Sequence, residues 1–179
     1  MELWDLYTKD RERTGKTMER GAKHPDGFYR LAVHVCIFNS RGEMLIQRRQ
    51  LTKFGWPGLW DMTASGSAIA GESSGEAAER EVREELGLSI PFADLRPALT
   101  IHWPEGFGDI YLLERDVNVD ALTLQTEEVM DVRWADENEI MELIAKGEFI
   151  PYYKDFIGLL FYLRNKSTLH TSPDLTRQQ

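Results

Sequence analysis

In the first third of the chain, Phe28 to Phe38, FYRLAVHVCIF, is β-branched and apolar almost throughout. A run of that length and composition predicts a strand buried on both faces. Asn39-Ser40-Arg41-Gly42 then predicts a turn, with Gly42 free to take positive φ. Glu43 to Arg48 reads as the returning strand, so the first clear unit is a β-hairpin. Upstream, Leu3 to Tyr7 predicts a short strand, followed by a charged loop to about residue 28. Downstream, Lys53 to Trp60 mixes Gly, Pro and aromatic residues and predicts an irregular, well-packed loop.

The period changes after residue 72. Ser73 and Glu76 form a capping box, and Gly87 is placed to end the helix that follows. Ala78, Val82 and Leu86 recur every fourth residue and form its apolar stripe. Leu95 to Trp103 and Asp109 to Arg115 predict strands around a Pro104–Gly108 loop, and Val129 to Trp134 predicts another. Asp136 begins a helix that runs to about Lys146, with Gly147 at its end. Lys154 to Arg164 is a final amphipathic helix. Ser167 to Gln179 is polar and aperiodic, so disorder is expected there. Residues 1–166 therefore read as a single domain.

On the helix after Ser73, Glu81, Glu84 and Glu85 lie at i, i+3 and i+4, which places three carboxylates within reach of one another. Like charges that close repel, and each raises the pKa of the others. A purely structural helix gains nothing from that, whereas a hard divalent cation with oxygen ligands removes the penalty.

Composition narrows the chemistry. The chain has 179 residues and a net charge of −9. That charge argues against nucleic-acid or anionic-membrane binding, which need a basic surface. Cys36 is the one cysteine, so no intrachain disulfide forms, and it reads as core filler. His34, inside the long apolar strand, reads as a hydrogen-bonded core histidine. The start of the chain is charged, unlike a secretory signal, and the longest later apolar run (Phe156 to Leu163) is far short of a membrane span. A cytoplasmic enzyme is expected.

Gly66 to Leu88 matches the pattern G-x5-E-x7-R-E-U-x-E-E-x-G-U, with U aliphatic, at every fixed position: Gly66, Glu72, Arg80, Glu81, Val82, Glu84, Glu85, Gly87 and Leu88. This stretch resembles the Nudix box. The resemblance implies an α/β fold, an α/β/α sandwich around a mixed sheet, with the box as a loop-helix-loop. It also implies hydrolysis of a small-molecule diphosphate by water attack on phosphorus, in an enzyme that often pairs as a homodimer. Glu81, Glu84 and Glu85 would then hold Mg²⁺, or Mn²⁺ in its place, with the Gly66 carbonyl as a further ligand. Arg80 would orient the glutamates and Glu72 would brace the loop. Glu128, or alternatively Glu127, would add an acid from outside the box.

The flanks are similar to the isopentenyl diphosphate isomerase branch of the same superfamily: Thr14-Gly15, Arg48-Arg49, Lys53, Trp56-Pro57-Gly58-Leu59-Trp60, and Glu128 to Asp131 before Trp134. That branch needs a cysteine and a histidine where this chain reads Asp61-Met62-Thr63-Ala64-Ser65-Gly66-Ser67. The chain thus looks like a hydrolase on an isomerase-like frame, with an isomerase or a non-catalytic binding module as the alternatives. Arg49 and Lys53 match positions that contact the diphosphate in the isomerases, and Arg20 is a third candidate. Trp56, Trp103 and Phe107 are candidates to stack on a base or cap an apolar group.

Overall fold

The fold turns on what the two strands of the expected hairpin do after their turn. In the computed structural model, which describes residues 2–166, β3 (Arg30–Phe38) and β4 (Met44–Arg49) share a single register pair, Phe38↔Met44. Beyond it they part, so the hairpin is closed at its turn and open below. The segment after the Trp-Pro-Gly loop fills the opening. Its first piece, β5 (Trp60–Asp61), pairs with β4, and its second, β6 (Ala64–Ser67), pairs antiparallel with β3 from Val35↔Ala64 to Ala32↔Ser67. Thr63, fully buried between the two pieces, accepts the Ile37 N–H at 2.9 Å and donates its hydroxyl proton to the Leu45 carbonyl. One side chain thus satisfies a donor on β3 and an acceptor on β4 that the strands no longer offer each other.

Three more strands complete the mixed sheet. β7 (Leu99–Trp103) and β8 (Gly106–Glu114) are antiparallel, β8 runs parallel to β3 over its whole length, and β9 (Val129–Ala135) pairs antiparallel with β4. The expected loop at 104–108 shrinks to the turn at Pro104 and Glu105, and the expected strand from Leu95 begins at Leu99. Gly106 and Gly108 belong to a strand because β3 and Trp103 press against them; a side chain at Gly106 would strike the Arg30 carbonyl.

Three helices cover the sheet. α1 (Ser74–Leu86) has the capping box at Ser73 and Glu76 and ends at Gly87 in the left-handed region, φ 69°. Its Ala78, Val82 and Leu86 pack with Val33, Val35, Ile37 and Leu45 from one face of the sheet. On the other face, Phe38, Met44 and Ile46 meet α2 (Glu137–Lys146) and α3 (Lys154–Leu163) through Ile140, Ile157, Leu160 and Phe161. This is the expected α/β/α sandwich. β3 is buried on both faces only in its last four residues; Arg30, Ala32 and His34 are half-buried on one face.

The expected charged loop before residue 28 contains a strand, β2 (Arg13–Glu19), which pairs with β1 (Leu3–Tyr7) as a separate two-stranded ribbon. The sequence RTGKTME has no apolar alternation, and only Met18 is buried, so backbone pairing and not burial makes it a strand. The ribbon is tied to the glutamate stretch by the Ala70 N–H, which donates to the Leu3 carbonyl at 2.7 Å. Among the described residues no helix is long and apolar enough to cross a membrane. The expectation of disorder for 167–179 lies outside the described residues.

Thr63→Val keeps the shape of the side chain and removes the hydroxyl, leaving two buried backbone groups without partners. Urea unfolding is expected to show a loss of about 2–4 kcal/mol, at roughly 1–3 kcal/mol per orphaned group. Thr63→Ser should lose about 1 kcal/mol, the value of a buried methyl. Equal losses for the two variants would contradict the bridging role.

Candidate functional site

A cavity of about 1110 Å³ opens where β3 and β4 diverge. Its walls come from β6 and α1, from the 53–56 loop, and from the ribbon, which supplies Trp4 and Met18, with Glu2 and Arg20 just beyond it. Glu81, Glu84, Glu85, Arg80, Gly66, Arg49, Lys53, Arg20 and Glu128 all line it. Glu127, the alternative to Glu128, does not line it.

Arg80 organises the acidic wall. Its Nε and Nη2 donate to the two carboxylate oxygens of Glu72 at 2.7 and 3.0 Å, and Nη2 also donates to the Ser67 carbonyl at 3.0 Å. Its Nη1 reaches Glu81 at 2.8 Å and Glu84 at 3.2 Å. Burial works to lower the Arg80 pKa, but the Glu72 hydrogen bond and the Glu81 charge hold it above the ordinary value. Glu72, which also accepts the Ile69 N–H at 3.0 Å, is the brace expected of it.

The three box carboxylates are graded in depth. The Glu84 side chain is 45% exposed and that of Glu81 13%, while Glu85 as a residue is 3% exposed. Glu85 reaches past the apolar stripe into the strand gap. There it accepts from Gln47 Nε2 at 2.8 Å and from the Ser65 N–H at 3.3 Å. Burial, then the nearby Glu81 charge, pushes the Glu85 pKa to about 8; Gln47 and Lys53 pull the other way. Burial also raises Glu81, against the pull of Arg80. Among the described residues no three acidic, His or Cys side chains converge as a metal cage. Arg80 holds Glu81 and Glu84, while Gln47 holds Glu85.

The donor set still fits a hard cation. Glu85 is a buried carboxylate whose hydrogen-bond partners are both neutral, and Glu81 is pressed against Gly66, where any Cβ would overlap its carboxylate. Gly66 is needed for that space and not for its conformation, since its backbone is ordinary strand.

The basic residues are already engaged. Arg49 donates to Asp61 at 3.3 Å and to the Gly55 carbonyl at 3.0 Å, Arg20 pairs with Glu2 at 2.9 Å, and Lys53 pairs with Glu128. Burial, and then the charge of Arg49, lowers the Lys53 pKa. Asp61 and Gln47 are site residues that the sequence reading missed. Asp61 is 1% exposed and accepts from Tyr152 Oη at 2.9 Å as well as from Arg49. For Asp61 the signal is a lone acid between apolar residues in LWDM; Gln47, followed by Arg48 and Arg49, carries no such signal. Two aromatic and histidine expectations need correction. Phe107 is 1% exposed in the core and cannot stack on a ligand, whereas Trp56 and Trp103 do line the cavity. His34 is not a satisfied core histidine: its Nδ1 is buried without a hydrogen-bond partner, and the residue lines the cavity. Cys36 is buried as expected, and burial pushes its thiol pKa up.

A family model described as NUDIX domain matches residues 28–156. The chain belongs to the Nudix family. It is 49% identical over 170 residues to an uncharacterized Nudix hydrolase, lmo0368, of Listeria monocytogenes, covering 95% of this chain and 99% of that one. Similarity to an isopentenyl-diphosphate Delta-isomerase of Escherichia coli is weaker, 34% over 129 residues, covering 67% of this chain and 69% of the isomerase. The crystal structure of DR0079 from Deinococcus radiodurans superposes with a TM-score of 0.71 at 25% identity, over 89% of this chain and 97% of that one. The chain is thus a Nudix hydrolase, with a recognisable but more distant likeness to the isomerases.

Two outcomes follow from the acidic wall. Gly66→Ala is expected to weaken divalent-metal binding by about tenfold or more, as displaced metal ligands do, when measured by calorimetry. An unchanged affinity would show that the Glu81–Gly66 contact is incidental. The second concerns pH. The Glu85 carboxyl titrates at 4.5 when unperturbed and at about 8 in the folded, metal-free protein. Between those values the folded state keeps a proton that the unfolded state has released, so the Glu85 contribution is complete below 4.5 and is lost as pH rises towards 8. Glu85→Gln should flatten that decline in thermal melts of metal-free protein; parallel pH curves for the two proteins would refute the raised pKa.

Proposed function

We propose that this hydrolase cleaves the diphosphate linkage of a nucleoside diphosphate derivative or a similar organic pyrophosphate, with Mg²⁺ as the cofactor. The observation that carries the proposal is the Glu85 carboxylate, buried beside Glu81 in the strand gap with only neutral hydrogen-bond partners. Such a group is either protonated or matched to a cation. Glu81, Glu84 and Glu85, with the Gly66 carbonyl, would hold the metal, and Glu128 would join them on leaving Lys53. Bound there, Mg²⁺ would neutralise the negative charge of the diphosphate and favour attack by water.

The residues of the chain supply the rest. Arg80 keeps Glu81 and Glu84 at a fixed distance from the Ser67 carbonyl. A carboxylate of the set accepts the proton of the attacking water; because these groups titrate together, the proton belongs to the set and not to one residue. Arg49 and Lys53 hold phosphate oxygens, Arg as a fork and Lys as a point charge. The net charge of −9 suits a small metal-bound diphosphate and not a nucleic acid. The isomerase reaction is disfavoured because the 61–67 segment lacks cysteine and histidine, and Cys36 is buried with a raised pKa.

The test is a panel of nucleoside diphosphate derivatives, nucleotide sugars and prenyl diphosphates with Mg²⁺, scored for release of phosphate or nucleotide. At least one class should turn over, lose activity on chelation and regain it with Mg²⁺. Glu85→Gln should reduce kcat by roughly 10²–10⁴-fold. A protein that binds Mg²⁺ but hydrolyses no member would refute the proposal, and conversion of isopentenyl to dimethylallyl diphosphate would replace it.

A further inference from the structure

The cavity holds four arginines, and three are committed to acids: Arg49 to Asp61, Arg20 to Glu2, and Arg80 to the box glutamates. Arg30 differs. It is half-buried, and among the described residues it makes no ion pair. Its Nη1 donates to the neutral hydroxyl of Ser67 at 2.9 Å. Its guanidinium carbon lies over the Trp4 ring at 4.9 Å and the Trp103 ring at 5.5 Å. A half-buried cation without a counter-ion is costly, and cation–π contact with two indoles offsets only part of that cost. Glu105 acts on it from beyond ion-pair distance, and burial outweighs that influence.

A second observation lies along the same cavity floor. Arg30, Ala32 and His34 are alternate residues of β3 and all face the cavity. His34 Nδ1 is buried with no hydrogen-bond partner, and so is His24 Nε2, another cavity residue. Buried polar atoms in folded proteins are nearly always paired. Ala32, between Arg30 and His34, adds only a methyl group and keeps the floor open.

The register sets the spacing. Ser65 donates its N–H to Glu85, Gly66 is pressed on Glu81, and Ser67 holds Arg30. Ser65 and Ser67 are two positions apart on the strand, about 7 Å. The strand thus sets the acidic wall and Arg30 side by side along the cavity floor.

We infer that Arg30 grips the phosphate of the substrate that lies away from the box glutamates, and is a substrate-binding residue beyond Arg49, Lys53 and Arg20. Trp4 and Trp103 preset its side chain, so the guanidinium meets the phosphate without first leaving an acid. Arg49 and Lys53 must exchange Asp61 and Glu128 for phosphate; Arg30 has no ion pair to break. This inference rests on the proposed hydrolysis of a diphosphate.

The test is calorimetric titration of the full chain with inorganic diphosphate, Ca²⁺ replacing Mg²⁺ so that binding is read apart from turnover. Arg30→Met should weaken binding about 10- to 100-fold, in line with the loss of charge-assisted contacts, and Arg30→Lys should restore part of it. In turnover of whichever diphosphate the panel identifies, Arg30→Met should raise KM by a similar factor and leave kcat within about threefold, the mark of binding that is equal in ground and transition states. A folded Arg30→Met that binds inorganic diphosphate within twofold of wild type overturns the inference. If Arg30→Met does not fold, Arg30→Lys decides: its binding must fall below wild type, and equal binding overturns the inference. A wild-type protein that binds inorganic diphosphate through Arg30 yet hydrolyses nothing in the panel would uphold this assignment and sink the hydrolase reading. Turnover with a KM indifferent to Arg30 would do the reverse.

Discussion

β3 and β4 leave each other after one pair of residues, and the Thr63 hydroxyl makes that separation tolerable. Two strands in a sheet normally satisfy each other's backbone groups, and parting them would orphan a buried donor on Ile37 and a buried acceptor on Leu45. Thr63 satisfies both. The gap that results is lined by backbone already bonded elsewhere, so it can admit a polar side chain from outside the sheet. Glu85 enters from α1 and meets Gln47 of β4 and Ser65 of β6 inside it. Without the divergence, Glu85 would face a continuous apolar sheet or turn to solvent, where its carboxyl would titrate as an ordinary one.

The electrostatics follow from that geometry. Depth grades the three carboxylates from exposed Glu84 to buried Glu85, and the deepest has the most displaced pKa. Arg80 balances the outer two and ties them through Glu72 and Ser67 to the loop that precedes the helix. The basic side of the cavity is arranged on a different rule. Arg49 and Lys53 each have an acid, which lowers the cost of burying them, and exposed Arg20 has Glu2. Arg30 has two indoles instead, which hold its position and leave its charge uncompensated.

Local features of the chain were legible. The capping box at Ser73 and Glu76, the Gly87 end and the Ala78–Val82–Leu86 stripe are set by contacts within a few residues, and they appear as read. Arg80, Glu81, Glu84 and Glu85 also share one wall of the cavity, because their spacing on one helix leaves little freedom. What was misread depended on distant partners. β2 has no apolar alternation and is a strand only because β1 lies beside it. Gly106 and Gly108 suggested a loop, but they are the small residues that let β8 approach β3 and Trp103. Phe107 and His34 each carry chemistry that either a core or a cavity could use, and only the face of the strand on which each falls separates the two.

The sequence by itself determined the family, the helix that carries the glutamates and the reaction class those glutamates suit, because each rests on residue types at short, fixed separations. Tertiary structure decided which carboxylate is buried, which cations are already paired, that Asp61 and Arg30 line the cavity, and that Gln47 holds Glu85. Those properties arise where segments tens of residues apart share one dehydrated space. There the energy of a charge is set by its neighbours in three dimensions, and spacing along the chain does not record them.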